Sequence, residues 1–453
     1  MNLFKKLWLL IGISVFLGFG CDSEEVTPEI TLLSIKINGG TFTNNIESIP
    51  VDATVDISFS AIIDPALFAA QLSVTANGAA KDVDISYSNS TSKATLTFDW
   101  EYNTTYTVSV NAAVIGANGD QLKEAISLSF KTAEDNIIRS MPPCTNTAQC
   151  LESTLLTGSV GEGTFEFYSN YPIYEENAEW ENLTQAVIVV HGASHNANDY
   201  FSYLTTTLNT ENLSDNTVLI APYFRNTATS SSDDFYWSSF AWRDGKLSNN
   251  TNKISSFEVV DELIKQLVNS GRFPVLDQII VTGQSSGGRF THVYAPSNKS
   301  ESLYPTISFD YVVSESQYFY YPDGQRINEG TNNLYTPSSC NGYDFWPFGY
   351  TLTPDYLTGT TETEFNQNFV NRSVHYLLGN GTASDPTLNT TNCSATLLGS
   401  SRYQRGENMF RYMDLKYQTT HNHSKTIANG ITHDGSAIYQ STAFRTLLND
   451  LLN

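Results

Sequence analysis

Hydrophobic and polar positions alternate with a period of two through residues 30 to about 134, and helical periodicity is nearly absent there. The runs Leu32–Ile37, Thr54–Phe59, Lys93–Phe98, Thr105–Val110 and Ala125–Lys131 read as strands. Turn signals separate them at Asn38-Gly39-Gly40, Asn77-Gly78 and Asn118-Gly119, residue types that tolerate the positive φ of tight hairpins. Short strands at that spacing predict an all-β sandwich over residues 30–134.

From about residue 140 the pattern changes. Ala186–Val190 and Thr217–Ile220 are short, continuously apolar runs. Ser255–Ser270 is an amphipathic helix with Phe257, Val260, Leu263, Ile264 and Leu267 at three- and four-residue spacing. Strands follow at Gln278–Thr282, Tyr311–Val313 and Val374–Leu378, and a helix from Ala437 to Leu452 closes the chain. Apolar strands alternating with helices predict a mostly parallel sheet covered on both faces, an α/β domain over residues 140–453. Two long irregular stretches interrupt it, 225–254 and 321–370, both rich in aromatic residues. Loops of that length inside a compact domain are usually functional. Trp237, Trp242 and Trp346 within them, with Tyr318 just ahead of the second, are the candidates for lining a substrate cleft.

Composition agrees with two domains and adds constraints. The chain has 453 residues, with 40% apolar and 12% aromatic positions, enough for sizeable cores. A formal charge of −23 repels phosphate backbones and argues against nucleic acid as a partner. At the N-terminus, Lys5 and Lys6 precede an apolar run, Leu7 to Phe19, too short to span a bilayer comfortably; residues 1–20 read as a secretory signal peptide. Cys21 follows directly, and Leu17-Gly18-Phe19-Gly20-Cys21 resembles a bacterial lipobox. That resemblance implies lipidation of Cys21 and anchoring to the outer membrane or cell surface, with 21–29 as an acidic tether. Four cysteines remain, an even number that reads as disulfides in an exported chain and allows three pairings. Cys144–Cys150 with Cys340–Cys393 is the favoured one. A metal site is disfavoured, because the cysteine spacings are wide and no histidine pair sits beside them.

The chemistry centres on Gly283-Gln284-Ser285-Ser286-Gly287, a G-x-S-x-G motif directly after a strand and before a helix-compatible segment, Arg289 to Ala295. Flanking glycines allow the sharp turn that lifts the serine hydroxyl clear of a sheet. A serine nucleophile needs a base within hydrogen-bond reach. It also needs donors for the oxyanion, here the backbone N–H groups of Ser286 and of Ala193, in the loop His191-Gly192-Ala193 after a strand.

The strand-His-Gly loop, the elbow and a late histidine, in that order, resemble the α/β-hydrolase superfamily over about residues 160–453. More narrowly they resemble secreted hydrolases with a Trp-rich loop (Trp237–Gly245), a Tyr-Leu-Leu-Gly strand (Tyr376–Gly379) and an Arg-Tyr-Gln-Arg-Gly segment (Arg402–Gly406). The base of that superfamily comes last, which singles out His433 ahead of His421 and His423; His292 is expected to be structural. The acid follows a late strand, favouring Asp385, with Glu315 as the alternative. The resemblance thus implies a serine esterase with a Ser285–His433–Asp385 triad and an acyl-enzyme intermediate, acting without metal or organic cofactor on extracellular polysaccharide esters or polyesters. Residues Tyr106–Val110 and Leu128–Thr132 give the first domain a likeness to bacterial Ig-like domains, which are usually spacers. Two other functions fit the same pattern: a non-catalytic glycan- or polymer-binding surface lipoprotein, and a serine peptidase or acyltransferase on the same fold.

Overall fold

The computed structural model describes residues 28–135, 138–231 and 233–452. The leader, Cys21 and residues 21–27 of the tether lie outside them. The chain divides into two compact units, Met1–Asn136 and Ile137–Asn453.

The first unit is two five-stranded sheets, packed as a sandwich. Leu32–Ile37, Val55–Phe59 and Lys93–Thr97 are neighbours in one sheet, and Thr105–Val110 and Ile126–Thr132 are neighbours in the other. Val55, Ile57 and Phe59 point inward and the residues between them do not, which is the alternation seen in the sequence. Trp100, Tyr106 and Phe130 meet in the core, with ring centroids 4.8 Å and 5.5 Å apart along that series. Asn38-Gly39 and Asn77-Gly78 each form a two-residue hairpin loop with both residues at positive φ. A short helix, Pro65–Gln71, was not expected there. The Asp64 side chain caps it by accepting from Ala66 and Leu67 N–H, and proline suits its first position.

The second unit is built on an eight-stranded sheet. In chain order its strands are β1 (Leu151–Thr157), β2 (Glu162–Ser169), β3 (Gln185–Val190), β4 (Thr217–Pro222), β5 (Gln278–Gln284), β6 (Ser308–Ser314), β7 (Ser373–Gly379) and β8 (His423–Ala428). They lie in the order β1-β2-β4-β3-β5-β6-β7-β8. From β4 to β8 all neighbours are parallel, while β2 runs antiparallel to β1 and β4. Ala186, Ile188 and Val190 of β3 feed the core on one face of the sheet, and Val187 and Val189 feed the other. A strand buried on both faces is apolar throughout, hence the missing alternation.

The helices that matter for the site are α1 (Ala197–Thr210), α2 (Ser256–Asn269), α3 (Ser286–Ser297) and α4 (Arg402–Tyr417). In α2 a capping box joins Ser255 and Glu258, and all five predicted apolar positions are buried. The closing helix predicted over 437–452 is instead two, α5 (Gly435–Tyr439) and α6 (Thr442–Leu452). Ser441 breaks it by accepting from Phe444 N–H, so a cap interrupts what the apolar spacing had joined. The hairpin β1–β2 also escaped the sequence reading, because β1 is a half-exposed edge rich in Ser and Thr. Disulfides join Cys144 to Cys150 and Cys340 to Cys393, the favoured pairing. Among the described residues no helix is long and apolar enough to cross a membrane. Nor do they hold a group of three or more His, Cys, Asp or Glu side chains able to bind a metal ion.

Candidate active site

Strand β5 ends at Gln284, and the chain turns at once into α3. Ser285 sits on the turn at φ 62°, ψ −112°, a backbone conformation costly for a residue with a side chain. The neighbours enforce it. A Cβ on Gly283 would lie 2.3 Å from the Gly287 carbonyl, and one on Gly287 would lie 2.0 Å from the Val190 oxygen. Strand and helix can approach this closely only through glycine. Backbone bonds complete the elbow, Ser285 N–H donating to Ser314 O and Arg289 N–H to Ser285 O, both at 3.0 Å.

Ser285 opens into a cavity of about 500 Å³ that His433 also lines, together with Gly192, Ala193 and Ser286. Both residues expected to supply oxyanion donors thus face the same space as the serine hydroxyl. His433, in the loop between β8 and α5, is half-buried, and its Nε2 makes no hydrogen bond among the described residues. Catalytic hydrogen bonds are often unmade until substrate arrives. Burial, and after it the Arg402 charge, lowers the imidazole to about 4, so near neutral pH it is uncharged and able to accept a proton.

On the other side of the ring the arrangement is less direct than the sequence suggests. Asp385 Oδ1 lies 3.6 Å from His433 Nδ1, too far for a hydrogen bond. Thr387 stands beside the gap: its hydroxyl donates to Asp385 Oδ1 at 2.6 Å and is 3.2 Å from His433 Nδ1. With its proton on the carboxylate, that hydroxyl can accept from Nδ1–H, a tautomer that leaves Nε2 free as the base. Arg402, at the start of α4, donates from Nε to Asp385 Oδ2 at 2.6 Å, from Nη2 to the Thr387 hydroxyl at 2.9 Å, and from Nη1 to the Glu315 carbonyl at 3.0 Å. Desolvation opposes ionisation of Asp385, but Thr387 and Arg402 outweigh it and hold the carboxyl below the ordinary aspartate value. Arg405, one turn on, donates to the Gly399, Gln317 and Asn389 carbonyls and pins the loops around it.

Glu315 is also buried, but its carboxylate accepts from Gly379 N–H at 2.5 Å, and burial pushes it up to about 7. Among the described residues it makes no bond to His433. His191 is wholly buried, accepts from Phe224 N–H on Nε2, and is lowered by burial to about 3. His292 is equally enclosed and lowered to about 3.

The aromatic candidates need correction. Of the four, only Tyr318 lines the cavity. Trp237 and Trp242 are fully buried. Trp237 donates its indole N–H to Lys246 O, and Trp242 stacks on Phe224 at 5.3 Å between ring centroids. Trp346 packs against the same core and donates to Asp244 O at 2.9 Å. Large aromatic rings in these loops gain more by filling the core under the cavity than by facing water. The sequence reading passed over Thr387, Arg243, Gln317 and Asn389, which line the cavity with Arg402. Two of them carried a signal: Arg402 as the first residue of the Arg-Tyr-Gln-Arg-Gly segment, and Arg243 through its place in the Trp237–Gly245 loop.

A family model described as a bacterial Ig-like domain matches residues 34–132. No curated protein matches the chain. Among solved structures, the poly(3-hydroxybutyrate) depolymerase LpqC of Bordetella parapertussis aligns with a TM-score of 0.45 at 17% identity, covering 64% of this chain and 84% of that one. Poly(aspartic acid) hydrolase-1 of Sphingomonas sp. KT-1 aligns with a TM-score of 0.45 at 16% identity, covering 67% and 98%. The siderophore hydrolase EstA of Aspergillus nidulans gives 0.38 at 14%, covering 70% and 100%. The Ig-like match falls within the first unit, and the second is a mostly parallel eight-stranded α/β sheet.

Proposed function

We propose that this chain is an exported serine hydrolase of carboxylic esters, with Ser285 as nucleophile, His433 as base and Asp385 as the acid behind it. One observation carries the reading: a serine held on a strained elbow and an unprotonated imidazole with a free Nε2 line one cavity. In acylation, Ser285 Oγ bonds to the ester carbonyl carbon while its proton passes to His433 Nε2. The Ser286 and Ala193 amides receive the oxyanion, each such donor lowering the barrier by about 3 kcal/mol. Collapse breaks the C–O bond, and the imidazolium returns the proton to the leaving alcohol. Water, deprotonated by His433, then attacks the acyl-enzyme and releases the acid. No redox or group-carrying cofactor enters this sequence.

The two disulfides fit an oxidising compartment, and lipidation at Cys21 would tether the enzyme at the cell surface, where polysaccharide esters or polyesters are met. The test is labelling with a fluorophosphonate probe beside hydrolysis of a chain-length series of nitrophenyl esters. Wild type should label and turn over esters, and Ser285→Ala should do neither, with kcat lower by at least about four orders of magnitude. Labelling that persists in Ser285→Ala, or aminoacyl anilides cleaved faster than esters, would sink the esterase reading.

A further inference from the structure

The cavity in front of Ser285 has the opposite charge character to the protein around it. The chain carries −23 overall, yet among the described residues no Asp or Glu lines this cavity, and its cationic side chains are Arg243 and Arg402. Arg402 is committed to Asp385. Arg289, nearby, is committed to Asp244 at 2.6 Å. Arg243 makes no ion pair among the described residues; Asp244, the carboxylate close to it, is taken by Arg289. Arg243 Nη1 is 3.5 Å from the Ser286 hydroxyl, at the limit of a hydrogen bond, and its Nε is buried without an acceptor among the described residues. Its guanidinium lies against the rings of Phe240 and Tyr318, at 4.4 Å and 5.5 Å. A second donor is left over in the same cavity: Gln284 is 2% exposed, and its Nε2 has no acceptor among the described residues.

A half-desolvated guanidinium that shares the single carboxylate Asp244 with Arg289 is costly unless a further anion comes to it. Aromatic walls hold such a group in place without neutralising it, and its planar fork matches a carboxylate. We infer that the substrate is an anionic ester, carrying a free carboxylate near the scissile bond that Arg243 binds while Ser285 faces the carbonyl. The inference rests on the esterase reading above and names the substrate class of that site.

Binding tests it without requiring turnover. Ser285→Ala protein is titrated with monoethyl glutarate, whose carboxylate is on the acyl side, with butyryloxyacetate, whose carboxylate is on the alcohol side, and with neutral ethyl valerate. At least one anionic ester should bind about 10- to 100-fold more tightly than the neutral one, the scale of a hydrogen bond to a charged group. That preference should shrink in high salt and disappear in Ser285→Ala/Arg243→Gln. Ser285→Ala/Arg243→Lys, which keeps the charge but not the fork, should fall between, and it decides the matter if the glutamine variant does not fold. Neither anionic ester outbinding ethyl valerate, or a preference that survives loss of the Arg243 charge, overturns the inference. Fluorophosphonate labelling of the wild type reads Ser285 alone, so failure of the esterase reading is seen separately.

Discussion

The two ends of the site are held in different ways. The Ser285 end is fixed by backbone: a strand, a turn and a helix packed so closely that side chains are excluded at Gly283 and Gly287. The Asp385 end is fixed by side chains: the carboxylate stands in an irregular loop whose place depends on Thr387 and on the Arg402 and Arg405 guanidinia reaching across from α4. A backbone-built end should fail all at once when perturbed. A side-chain-built end should lose function in steps, each assigned to one group.

The largest effect should come from the acid itself. Asp385→Asn removes the negative charge behind His433 and should lower kcat on the order of a thousandfold, while Glu315→Gln, which keeps an acceptor for Gly379 N–H, should leave kcat nearly unchanged. Steady-state kinetics on the two variants decide between the carboxylates; the reverse ranking would move the acid role to Glu315. Next is the elbow. Gly287→Ala drives a methyl into the Val190 carbonyl and should cost about 3 kcal/mol of stability, read from denaturant melts, and fluorophosphonate labelling should fall with it. A variant that labels normally would show the backbone end to be more pliant than its packing implies.

Arg402→Gln should be milder, about a hundredfold in kcat/KM, because Thr387 still bridges to Asp385. Its pH profile carries the sharper signal. In the wild type His433 is neutral above about 4, so kcat/KM should hold as pH falls and decline only on approaching that value. Arg402 is one of the two causes lowering it, so its removal raises the imidazole towards the ordinary histidine value and the acid limb should move to higher pH. An unmoved limb would mean that burial alone sets the base. The smallest effect belongs to Trp237→Phe. Losing the indole bond to Lys246 O and some core volume should cost about 1–2 kcal/mol of stability with KM unchanged. A raised KM would return that residue to the substrate cleft.

The same contrast separates what could be read from the sequence from what could not. Strands 32–37 and 105–110, the α2 helix and the elbow were legible, because period-two and three-to-four spacing and flanking glycines report local backbone demands. Aromatic-rich loops were misjudged at Trp237, Trp242 and Trp346, since composition cannot tell a ring facing a cleft from one filling the core beneath it. Thr387 left no trace and Arg243 only its place in the Trp237–Gly245 loop, because neither residue type nor spacing says which distant polar atom a side chain will meet.

By itself, then, the order of residues determined two domains, a mostly parallel sheet, and a serine on a glycine-flanked bend with a histidine that follows the last strand. Only the folded chain decided how Asp385 is held, by a threonine hydroxyl and an arginine from α4, and that Arg243 stands before Ser285 without an ion pair among the described residues. The reason is range. Backbone conformation answers to neighbours a few residues away, whereas the charge and hydrogen bonding of a cavity are set by groups that meet only when segments a hundred residues apart are packed together.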